Sequence, residues 1–152
     1  MYLISIIVLI VVIISMLFMG GAGGVTVFID FPNLLLLILI VLPILAGTNM
    51  LKDFNSAFRF AMSRKKNFNI PELRRASEAV TLVMQTLLYA GMLISITGII
   101  FILRQSAEME LDFIFANFAV AVLPIFYVMG FNLILLLIRA KINRMIIDFV
   151  QE

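Results

Sequence analysis

The sequence predicts an all-α membrane protein: one membrane domain over residues 1–152, with four transmembrane helices and both termini on the cytoplasmic side. Three observations lead there. The chain is 64% hydrophobic and 13% charged, with a mean hydropathy of +1.19. Soluble domains are roughly 45–50% apolar and about 25% charged, and a chain of 152 residues cannot hide this much apolar surface in one water-soluble core. The apolar residues also fall in four long runs with the charges between them. Lastly, ten of the eleven basic residues lie in connections on one side, the asymmetry that marks the cytoplasmic face.

Span one covers residues 3–19 and fades into the glycines at 20–24. It has no basic region before it and no small-residue cleavage site after it, so it reads as a retained helix rather than a signal peptide. Span two covers 31–50, span three 79–103 and span four 113–138. A bilayer core of about 30 Å takes about 20 apolar residues as a helix. Inside lipid only helices and closed barrels satisfy the backbone, and these long continuous runs do not alternate as barrel strands do. The segment 52–78 carries Lys52, Arg59, Arg64, Lys65, Lys66, Arg74 and Arg75, and Arg139, Lys141 and Arg144 follow span four. Both connections are therefore placed in the cytoplasm. The outward connections hold Asp30 alone, and Arg104 with Glu108, Glu110 and Asp112. Within 52–78, Phe54, Phe58 and Ala61 make one apolar stripe. The stripe predicts that span two continues as a helix along the membrane surface or into the cytoplasm. Pro71 marks a fresh helix start that runs directly into span three.

The candidate functional residues are few. Asp30 precedes Pro32 at the start of span two, where it can cap the helix and complement its positive end, or make an outer-face contact with a partner; it does not read as a buried proton carrier. Pro43 and Pro124 fall near the middle of spans two and four and free the carbonyls of Leu39 and Val120. Each is either a shape-fitting kink or part of a pathway. Gly91, Ser95 and Gly98 share a face of span three, with Thr81 and Gln85 near the same face towards the cytoplasm. This stripe allows close helix packing or lines a narrow hydrated path. Asn117, Tyr127 and Asn132 are polar groups on span four, suited to bonding neighbouring helices.

Several classes of function are excluded. The chain has no cysteine and no histidine, which removes thiolate chemistry and the commonest general base and metal ligand. No phosphate-binding glycine loop or cluster of acids is present, so no enzyme, cofactor or metal is expected. A net charge of +2 is too small and dispersed for nucleic-acid binding. None of the nine acidic residues falls at mid-depth of a predicted span, Glu78 at the mouth of span three being nearest. Proteins that move ions by themselves keep an ionisable group inside the membrane. If this chain takes part in ion flow, another chain is expected to supply that group.

Three stretches resemble the MotA/TolQ/ExbB proton-channel family, in its flagellar-stator branch. GGVTVFIDFPNLLLLIL (23–39) is similar to the family's glycine-rich outer loop and F-I-D-x-P-S entry to its second span. YAGMLISITGIIFIL (89–103) is similar to G-M-x-G-T-x-x-G-L-x, with Ser95 where the family carries its pore-side Thr. AVAVLPIFY (119–127) is similar to A-V-A-L-L-T-T-x-Y. The resemblance implies a homo-oligomeric ring, commonly a pentamer, in the bacterial cytoplasmic membrane. The ring would surround a dimer of a MotB/TolR/ExbD-like single-span partner whose Asp binds the ion. It implies that Gly91, Ser95, Gly98, Pro124 and Tyr127 face that partner, with Ser95, Thr97 and the free Val120 carbonyl hydrating the path. The sequence departs from the family in two places. The segment 52–78 is far shorter than the stator's cytoplasmic domain, and Pro124-Ile125 replaces the Thr-Thr pair. A non-conducting scaffold of the same fold and an unrelated four-helix membrane protein are the other readings.

Overall fold

A computed structural model describes residues 2–18, 28–63, 69–106 and 110–151. The described residues contain five helices and no strand: α1 (Tyr2–Phe18), α2 (Phe31–Gly47), α3 (Leu51–Met62), α4 (Ile70–Gln105) and α5 (Leu111–Gln151). The antiparallel α4–α5 hairpin is the spine, α2 and α3 pack along one flank, and α1 contacts chiefly α5. At 1.5 Å per residue α4 is about 54 Å long and α5 about 61 Å, roughly twice the depth of a hydrocarbon core. Their apolar halves therefore suit a membrane, and their other halves extend beyond it.

Both hairpin helices are long and apolar enough to cross a membrane. The α2–α3 pair passes that test only when taken together, and it is bent by 104° between Gly47 and Leu51. The apolar helix Ile4–Ser15 within α1 is shorter than a full span. Where the sequence predicts four spans, two to three are therefore long enough by length and composition among the described residues.

The bend has a local cause. Asn49 has φ +56°, its N–H bonds Ala46 O at 3.1 Å, and the Met50 N–H bonds Leu45 O at 3.0 Å. That crossed pair is a Schellman ending, in which the residue after the cap enters the left-handed region that Asn tolerates better than other side chains. Leu45 belongs to the core and Met50 packs, half-buried, against that core. Thr48 caps further by donating its hydroxyl to Ile44 O at 2.8 Å. The chain then restarts as α3, whose buried stripe is Ala57, Phe60 and Ala61, with Phe54 and Phe58 half-buried beside it. α4 begins where Pro71 occupies its first turn and the Asn69 carbonyl accepts from Glu72 and Leu73.

The core runs along the α4 face that meets the other helices. It joins Leu37 and Leu45 of α2, Ala57, Phe60 and Ala61 of α3, Leu73, Ala76, Val80 and Val83 of α4, and Val128, Leu135, Ile138 and Ile142 of α5.

Candidate functional site

The small residues of α4 sit where α4 and α5 approach most closely. A Cβ added to Gly91 would lie 2.7 Å from Val128 Cγ2 and 3.2 Å from the Pro124 carbonyl oxygen, and one on Gly98 would lie 3.0 Å from Ala121 Cβ. Only glycine lets the two helices come this close. Ser95, between them on the same face, is wholly buried, and its Oγ has no hydrogen-bond partner. Pro124 is buried too. Gly91, Ser95, Gly98 and Pro124 thus share one seam inside the chain. Thr97 faces the other way: it is exposed, and its hydroxyl donates to its own helix at Leu93 O, 2.8 Å away.

Tyr127 reaches out of α5 to the residues that enter α2. Its hydroxyl accepts from the Asp30 N–H at 2.8 Å and donates to the Phe28 carbonyl. The Phe28 and Phe126 rings lie 5.5 Å apart beside it. Asp30 occupies the N-cap of α2, with Oδ1 accepting from Asn33 N at 3.3 Å and Oδ2 from Asn33 Nδ2 at 2.9 Å. The carboxylate is thereby matched to the positive end of the helix and to an amide donor.

The clamp also fixes the depth of Asp30. Along α5, Tyr127 lies about 21 Å from Phe113 and about 16 Å from Ile138, so it stands near the middle of the apolar stretch. Asp30 sits beside it, half-buried. The sequence places this acid in an outer connection; in the fold it stands level with Tyr127, short of the ends of α4 and α5 that lie on that side. The reason is length. α2 has 17 residues, about 25 Å, and the Schellman turn fixes its far end beside Ser77 and Asn143. Its start therefore falls part-way along the longer neighbours. Asn49 is the signal in the sequence that could have shortened the second span.

Other polar groups divide between bonding neighbours and facing outwards. Asn132 Nδ2 donates across to Met84 O at 3.2 Å, while its Oδ1 is buried without a partner. Ser77 donates to Asn143 Oδ1 at 2.7 Å, a second link between α4 and α5. Asn117 bonds its own helix at Phe113 O. Gln85, Tyr89 and Thr97 lie on an exposed α4 face together with Met92, Leu93, Ile96 and Ile100. Thr81, half-buried, bonds Ser77 O, and Gln85 lies away from the glycine seam. At about 100° per residue, Gln85 lies about 120° round the helix from Gly91 and so is not on the seam's face. Among the described residues no group of three or more His, Cys, Asp or Glu is placed to hold a metal ion.

No family model matches the chain, and no curated protein or solved structure matches it either.

Proposed function

We propose that this chain is the ring-forming subunit of an ion-driven rotary motor or channel, with several copies, five by analogy, surrounding a dimer of a single-span membrane partner. The observation that carries the reading is the exposed α4 face. Gln85, Tyr89 and Thr97 stand there among apolar residues within the stretch 79–103, uncovered by the chain's own helices. Polar side chains at membrane depth belong against protein or a hydrated path rather than against lipid tails. The resemblance of residues 23–39, 89–103 and 119–127 to the MotA/TolQ/ExbB family supplies the identity of that protein: neighbouring copies and a MotB/TolR/ExbD-like helix pair with its own Asp. In the same reading α1 is the first of four spans, both termini are cytoplasmic, and the protruding halves of α4 and α5 with α3 form the cytoplasmic end. The lack of an acid inside the predicted spans does not carry the proposal, because Asp30 stands level with Tyr127 of α5.

A second reading is favoured by the glycine seam. Gly91, Ser95 and Gly98 are filled by α5 of the same chain, as an independent four-helix membrane protein requires. The native chain has no cysteine, so single cysteines at Tyr89 and Thr97 decide between the two. On the ring reading they cross-link neighbouring copies or the single-span partner in membranes, and the purified complex has the mass of several copies. A monomer that forms no intermolecular product at either position rules the ring out.

A further inference from the structure

Where the α2–α3 corner meets α4 and α5, the helices border an open cleft of about 490 Å³ in which the polar and charged side chains of Ser77, Glu78, Gln85 and Arg139 stand beside apolar Met50 and Leu82. Glu78 immediately precedes the apolar stretch of α4, and Arg139 immediately follows that of α5. The cleft therefore opens where hydrocarbon gives way to headgroups. Two of its hydroxyls are satisfied internally: Ser77 donates to Asn143 Oδ1 and Thr81 to Ser77 O. Arg139 differs, because its Nε is buried with no hydrogen-bond partner. A charged donor left unmatched in an interior is costly, and a phosphate oxygen is the acceptor that best suits a guanidinium.

The cleft does not fit a simple anion. Glu78, exposed on the cleft wall, would repel one, just as Arg139 would repel a simple cation. A ligand that carries both signs close together satisfies both walls. Towards the membrane centre, α2 and α4 leave Leu42 and Leu88 uncovered, apolar surface of the kind acyl chains lie on. We propose that this cleft binds the headgroup of a phospholipid with a primary amine, of the phosphatidylethanolamine class, its phosphate on Arg139 and its ammonium on Glu78. The proposal rests on the membrane placement of α4 and α5 and is independent of the ring reading.

Native mass spectrometry of the full chain released from detergent tests it, with phosphatidylethanolamine, phosphatidylcholine, phosphatidylglycerol and the soluble glycerophosphoethanolamine as probes. The wild type should retain the ethanolamine lipid about tenfold better than the choline lipid, whose quaternary ammonium donates no hydrogen bond, the equivalent of one charge-assisted bond. Glu78→Gln, an exposed change away from the core, should erase that preference. Arg139→Gln should lower retention of both zwitterionic lipids by about tenfold, and Arg139→Lys should restore part of it. Equal retention of the two zwitterionic lipids by the wild type overturns the proposal, as does preference for phosphatidylglycerol, which would mark a plain anion site. Binding of glycerophosphoethanolamine as tight as that of the lipid shows a free phosphate ester to be the ligand and also overturns it. Should Arg139→Gln not fold, the wild-type preference and its loss in Glu78→Gln decide the matter by themselves.

Discussion

At the basic end of the α4–α5 hairpin Leu73, Ala76 and Ile142 are wholly covered by α3 and by one another's helices. Further along the same two helices Leu93 is 63% exposed, Ile100 59% and Phe115 68%. One hairpin thus carries two kinds of surface. Near Leu73 many outward residues are charged, Lys52, Arg59, Arg74 and Arg75 among them, and a continuous apolar core is turned inwards, although Met62 and Ile147 stay exposed. Beyond Ala79 the sorting is partial: Val80, Val83 and Val128 are buried between helices, while lipid tails, as apolar as leucine, give no drive to cover the rest. The helices there are held by close approach at Gly91 and Gly98 and by polar links such as Tyr127 to the Asp30 backbone. The same residue type therefore does different work: Leu73 is buried in a core, whereas Leu93 lies on the exposed α4 face.

Six substitutions, grouped in four tests, probe this difference. The largest effect belongs to a pair: Leu73→Ala should destabilise by about 2–5 kcal/mol through a buried cavity, whereas Leu93→Ala should change stability by less than about 0.5 kcal/mol. Unfolding in mixed micelles by denaturing detergent measures both, and equal losses would erase the distinction between the ends. Next comes Gly91→Ala. Its new methyl would meet Val128 and the Pro124 carbonyl, so we expect about 1–3 kcal/mol from forcing the seam apart. Gly130→Ala, with nothing near its Cβ, is the control and should not destabilise. Tyr127→Phe removes the clamp and leaves the Asp30 N–H and Phe28 carbonyl without it. About 1–2 kcal/mol should be lost, with faster amide exchange at Asp30 while exchange near Leu73 stays unchanged. The smallest effect is Asn49→Gly, which relieves a left-handed side chain and should stabilise by no more than about 1 kcal/mol, read as a small rise in the melting midpoint.

Much of the fold was legible in the sequence because it follows from composition and local rules. Unbroken apolar runs such as 79–103 have to be helical in lipid, and Pro71 after the basic cluster opens α4 where a first-turn proline belongs. Asp30 and Pro32 mark the start of α2. The corner was less legible, since Thr48-Asn49-Met50 contains neither glycine nor proline and its sharp bend depends on one asparagine entering a conformation that most side chains avoid. The candidate site was legible in its residues and not in its arrangement. Small residues at 91, 95 and 98 announce a close approach but do not name the helix that makes it, whereas the spacing of Thr97, two residues from Ser95 and so about 200° round the helix, already sets it away from the stripe.

By itself, the sequence determined the medium, the helical class and the segregation of charge to one end, because each is a sum over residues or a consequence of nearest neighbours. Only the tertiary structure decided that Asp30 stands beside the middle of α5, that α5 closes the glycine stripe from within, and that Glu78 and Arg139 face one cleft. Those are matters of relative height and rotation between helices. They depend on where the Leu45–Met50 turn seats α2 and on which surfaces fit together, and no local pattern encodes either one.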